Sequence, residues 1–105
     1  MAVTLLALFK RPDGGDDALD EFMRRYREEH LPLISMVPGL RSTVVEPVST
    51  NYSGEDIVLA TRMEFDDRAG LDAGIASDEM RAAGRNLREI APGLLTLVAL
   101  DEAAE

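Results

Sequence analysis

The sequence predicts an α+β domain of ferredoxin-like βαββαβ layout, a four-stranded antiparallel sheet with helices on one face. Three observations predict it. Short runs of strand formers and longer amphipathic segments alternate in the order β, α, β, β, α, β. Turn residues such as Pro12-Asp13-Gly14-Gly15, Pro38-Gly39 and Pro92-Gly93 separate them. A chain of 105 residues, 46% hydrophobic and 30% charged, suits one folded domain, and no repeat or linker divides residues 1–105.

Val3–Phe9 is an apolar run of strand formers. Asp16 or Asp17 is placed to cap the helix that follows. There Leu19, Phe22, Met23, Tyr26 and His30 recur on one face, with charged residues on the others, Asp20–Arg24 and Glu21–Arg25 at i,i+4 spacing. Pro32 lacks an N–H and disfavours helical geometry at Leu31, which predicts a break and a second helical piece over Leu33–Val37 with Pro32 near its first turn. Leu40–Ser49 reads as the second strand, residues 51–56 as a hairpin connection and Ile57–Phe65 as the third strand. Asp66-Asp67 caps a short helix to about Ala76. Ser77 caps the next, in which Met80, Ala83, Leu87 and Ile90 repeat at helical spacing. Leu94–Leu100 is the fourth strand.

Both faces of the first and fourth strands are apolar. Val3, Leu5, Ala7 and Phe9 oppose Leu6 and Leu8, and Leu95, Leu97 and Ala99 oppose Leu94, Val98 and Leu100. Helices on one side cover one face only. Burying a Val or Leu side chain is worth roughly 1.5–3 kcal/mol. The uncovered face therefore predicts a homodimer with sheets packed face to face.

Lys and Arg number 11 against 20 Asp and Glu, a net charge of -9. That field repels phosphate backbones and argues against a nucleic-acid partner. The acidic tail, residues 101–105, reads as a solvated end. No apolar run is long enough to span a membrane. The start MAVTLLALFK lacks a basic leader and a small-residue cleavage site and reads as a strand, so the cytoplasm is the expected location. The chain has no Cys and one His, which leaves no thiolate nucleophile, no Cys-ligated zinc and no multi-histidine site. Phosphate-loop, dinucleotide-binding and hydrolase-elbow motifs are absent, and no metal or cofactor is expected.

His30 lies on the apolar helix face, one turn after Tyr26. As a core residue it would be neutral and tied to a carbonyl freed near Pro32. As a functional group it would orient a ligand or move a proton in a cavity between helix and sheet. Tyr26, Phe22, Met63 and Phe65 are core residues or cavity lining by the same reasoning. Arg41 and Arg62 sit within strands and suit surface ion pairs, with Glu46 or Glu64 in reach.

The stretch Leu8-Phe9-Lys10-Arg11-Pro12, then Phe22, Tyr26, His30 and Pro32-Leu33 at fixed spacing, then Pro38-Gly39-Leu40-Arg41, resembles the EthD family of the dimeric α+β barrels. Residues 76–79 and the helix after them resemble it more weakly. The resemblance implies a homodimer joined through the open sheet faces, a ligand cleft between sheet and helices, and cofactor-free oxidoreductase, isomerase or cyclase chemistry on a small apolar metabolite. The family His falls on His30. Thr43 stands where members often carry an aromatic residue, and Ile90 where another is common, so a phenol on the second strand has no counterpart here. On this reading His30 is the catalytic group, Phe22, Tyr26, Met63 and Phe65 shape the cavity, and Thr43 offers a second polar contact. Two alternatives stand beside it: a non-catalytic binder or accessory protein of an oxygenase, and a haem-handling barrel with His30 as axial ligand.

Overall fold

The computed structural model describes residues 2–101; most of the acidic tail, residues 102–105, lies outside them. The elements are β1 (Val3–Lys10), α1 (Gly15–Arg25), a π-helical turn (Tyr26–His30), α2 (Leu31–Ile34), β2 (Leu40–Pro47), β3 (Ile57–Phe65), α3 (Arg68–Ile75), α4 (Asp78–Ile90) and β4 (Leu95–Asp101). The strands form one antiparallel sheet in the order β2-β3-β1-β4. This is the expected four-stranded ferredoxin-like arrangement.

Local chemistry explains most boundaries. Asp67 accepts from Gly70 N at 2.7 Å and opens α3, and Ser77 accepts from Met80 N at 3.1 Å and opens α4. The start of α1 differs from expectation. Its cap is Gly14, at φ 110, with no side-chain hydrogen bond, and Gly15 follows at φ 79. Only glycine enters a helix readily through two such residues. Asp16 and Asp17 lie inside the first turn, where their charge complements the helix dipole.

Pro32 does not break the helix as expected. The turn before it widens instead, Leu31 N–H bonding Tyr26 C=O, five residues back. Pro32 sits in the first turn of α2, as expected, where no donor is required of it. The second helical piece is accordingly Leu31–Ile34 rather than 33–37. Charges on α1 pair differently too: Arg24 holds Glu21 and Glu28, and Arg25 holds Glu29.

The helix-facing side of the sheet carries Val3, Leu5, Ala7 and Phe9 with Leu59, Thr61, Met63 and Phe65, all buried. α3 closes tightly over one end. A Cβ on Gly74 would stand 2.8 Å from the Phe65 ring and 3.2 Å from Pro38 O, so only glycine fits. The opposite face is divided. Leu6 and Leu8 adjoin Val98 and Leu100 on β1 and β4, whereas β2 and β3 present Glu46, Arg62 and Glu64 around an exposed Val44, with Arg62 paired to Glu46 at 3.0 Å. The edge strand β4 is exposed on both sides, Leu97 at 46% and Leu100 at 41%.

Candidate functional site

A cavity of about 130 Å³ lies between the sheet and the helical layer. Its floor is Leu5, Ala7, Phe9, Met63, Leu95 and Leu97; Tyr26, His30 and Ile34 form one wall, and Met80, Ala83, Gly84 and Leu87 of α4 the other. The lining is almost wholly apolar. An apolar cavity of about 150 Å³ accepts a benzene-sized molecule, which sets the scale of what fits here.

The π-helical turn positions both polar wall residues. Tyr26 and His30 stand at its two ends with ring centroids 5.0 Å apart. Tyr26 packs edge-on to Phe9 and bonds the buried Thr61 hydroxyl at 2.5 Å. Burial pushes its phenol above the usual range, against the pull of Thr61, so it stays protonated at neutral pH.

His30 is 2% exposed. Its Nδ1 lies 3.1 Å from Asn86 Oδ1. The Asn86 amide is itself fixed, because its Nδ2 donates to Glu29 Oε1 at 3.0 Å. Arg25 holds the same carboxylate at 2.7 and 3.1 Å. The Arg25 hydrogen bonds, with help from Asn86, keep Glu29 ionised below the usual carboxylate range. An amide oxygen only accepts, so Nδ1 carries the imidazole proton. Nε2 keeps its lone pair and has no partner among the described residues. No fully buried side-chain N or O in that set lacks a partner, so Nε2 is not sealed in the core, and His30 lines the cavity. Burial lowers the His30 pKa to about 4, the Asn86 bond opposing it, and the ring is neutral at physiological pH. A neutral imidazole with one nitrogen tied down is a fixed hydrogen-bond acceptor at an apolar wall.

Of the residues singled out from sequence, His30, Tyr26 and Met63 meet at this cavity. Phe22 is buried against Phe9 and Tyr26 behind the wall, and Phe65 lies under α3; neither lines the cavity. Thr43 pairs with Met63 across β2 and β3 but is exposed at the sheet edge, outside the cavity. Asn86, Thr61 and Gly84 were not anticipated. Their only signal is a polar or small residue at the border of an apolar stripe. Among the described residues no cluster of His, Asp and Glu forms a metal site, and no helix is long and apolar enough to cross a membrane.

The sheet order, the helical layer on one face and the apolar cavity between them define a ferredoxin-like protein with a ligand-sized pocket. No protein-family model matches the chain, and no curated protein matches it. Solved structures do. An EthD family protein from Bacillus halodurans is 34% identical, with a TM-score of 0.83, over 98% of this chain and 100% of that one. A dimeric protein of unknown function with a ferredoxin-like fold from Bacteroides fragilis is 24% identical, with a TM-score of 0.70, over 96% of each chain. A candidate antibiotic biosynthesis monooxygenase from Caulobacter crescentus is 14% identical, with a TM-score of 0.62, over 98% of this chain and 91% of that one, a likeness of fold alone. At one-third identity along its whole length to the first of these, the chain belongs to the EthD family.

Proposed function

We propose that the protein binds a small, largely apolar organic molecule in this cavity and that His30 Nε2 accepts a proton from it. The observation that carries the reading is the chain Arg25–Glu29–Asn86–His30, which leaves one unpartnered imidazole nitrogen on an apolar wall. A C–H or O–H of the bound molecule would give its proton to Nε2, and its electron pair would stay on the molecule as an enolate or phenolate. The new imidazolium would donate through Nδ1 to Asn86, with the Glu29 carboxylate behind it. The anion formed beside the ring favours the charged imidazole and offsets the cost of burial. Proton removal of this kind begins isomerisation and cyclisation, and it begins oxidation where the carbanion passes an electron to dioxygen.

Membership of the EthD family supports small-molecule chemistry, while the reaction itself belongs to the site and not to the fold. A cavity of about 130 Å³ has no room for a haem macrocycle, which disfavours the haem reading. We further propose that the chain acts as a homodimer joined through Leu6, Leu8, Val98 and Leu100. Their apolar face and the dimeric state of the Bacteroides protein support this.

Phenol and benzene titrations test the site. Phenol is expected to bind more tightly and to shift the His30 imidazole resonances, and His30→Leu is expected to erase its advantage over benzene. Equal binding of the two by the unaltered protein, or no movement of the His30 signals, overturns the reading. Binding without turnover of enolisable probes assigns the chain as a carrier. Light scattering at twice the chain mass is expected, and a single-chain mass at micromolar concentration overturns the dimer.

A further inference from the structure

The cavity is not closed on the side of α4 and β4. Gly84, Leu87 and Leu95 line it, and the same three residues line a second, outer groove of about 210 Å³. That groove continues past Arg88, Ala91, Pro92 and Gly93 to the surface. The two spaces are neighbours, with Gly84, Leu87 and Leu95 between them.

Glycine inside a helix costs about 1 kcal/mol relative to alanine. Packing explains the cost at Gly74 but not at Gly84. A Cβ on Gly84 would meet only Arg88 Nη1, at 4.0 Å, the mobile tip of a long side chain. The missing side chain leaves open space between the inner cavity and the outer groove. Arg88, one turn further along α4, hangs over that gap. Arg24, Arg25 and Arg81 are held by carboxylates, whereas Arg88, like Arg27 and Arg85, has no ion pair with any described residue, and of these three only Arg88 lines the groove. In a chain of net charge -9, Arg88 places a positive charge beside an apolar cavity.

We infer that ligands enter past Gly84 and that the preferred ligand carries an anionic group, a carboxylate, which stays outside at Arg88 while its apolar body fills the cavity. The inference rests on the ligand-binding reading above and names the substrate class of that site. Gly84 sets the width of the entrance and Arg88 the charge at its rim.

The test compares 3-phenylpropionate with its methyl ester, and phenol serves as the short neutral probe. The carboxylate is expected to bind about fivefold more tightly than the ester at low salt, with the preference shrinking as salt rises. Arg88→Leu is expected to bring that ratio to one while phenol binding and the His30 resonances are unchanged. Arg85→Leu, on the same helix but outside the groove, removes an equal charge and is expected to keep the ratio. Gly84→Leu is expected to weaken every probe by about tenfold or more, with a melting temperature no lower than that of the unaltered protein. If phenol binds but the carboxylate shows no preference, or Arg85→Leu and Arg88→Leu act alike, the role of Arg88 is overturned and the cavity reading stands. If Gly84→Leu folds and binds as before, the entrance is elsewhere. If neither phenol nor phenylpropionate binds, the cavity reading and the inference fall together.

Discussion

Gly74 in α3 and Gly84 in α4 belong to one helical layer over one sheet, and both lie inside helices, yet their causes are opposite. At Gly74 the layer touches the sheet, and a Cβ would stand 2.8 Å from the Phe65 ring. At Gly84 the layer stands away from the sheet, and a Cβ would find nothing closer than 4.0 Å. The first glycine allows close approach and the second preserves a vacancy. A helix glycine takes its meaning from its neighbours. The pair also separates a sealed end, which carries stability, from an open end, which carries the pocket.

Removing the packed ring tests the sealed end most severely. Phe65→Ala is expected to cost about 3–5 kcal/mol in denaturant unfolding, because Phe65 is fully buried. A loss below about 1 kcal/mol would mean the end is not sealed.

At the open end the next largest effect comes from acid. His30 titrates near its ordinary 6.5 when unfolded and near 4 when folded. Above pH 6.5 both states hold a neutral ring and its contribution is constant. As pH falls from 6.5 to 4 the unfolded chain takes up the proton first, so stability declines, by up to about 3 kcal/mol. Chemical denaturation across that window is expected to show a steeper decline for the native chain than for His30→Gln, whose carboxylates are the same. Parallel profiles would show that the ring is not held neutral.

Gly74→Ala is expected to destabilise by about 2 kcal/mol through overpacking, a loss that shrinks when Phe65→Leu makes room. The smallest effect has the opposite sign. Gly84→Ala is expected to stabilise by about 0.5–1 kcal/mol, because helix propensity improves and nothing is struck. A destabilised Gly84→Ala would erase the contrast between the two positions.

The fold was legible wherever one local rule governed an element. Ile57–Phe65 alternates from Leu59 onward and is β3, and Ser77 and Asp67 cap as their side chains allow. The misreadings fall where two rules compete. Asp16 and Asp17 are good caps, but Gly14-Gly15 turns the chain into the helix before them. Pro32 predicts a break, but the helix absorbs it by widening one turn. The second strand ends at Pro47 rather than Ser49, and the fourth begins at Leu95 rather than Leu94. In the site, Tyr26 and His30 share a helix face and were found by spacing. Asn86 meets His30 from 56 positions away, and no periodicity encodes that contact. Thr43 shares a sheet face with Met63 but lies beyond the reach of the helical layer, a fact of coverage that strand alternation does not carry.

The sheet order also shapes the birth of the molecule on the ribosome. Of the described strands β1 is synthesised before all others and β4 after them, yet they are neighbours, with Val3 opposite Asp101. Until Leu95 and Leu97 have left the exit tunnel, the nascent chain has an unpaired inner strand and half a pocket. Pairings so distant in sequence form slowly and leave apolar edges open meanwhile. Shielding of the nascent chain by chaperones therefore matters most before the last strand emerges.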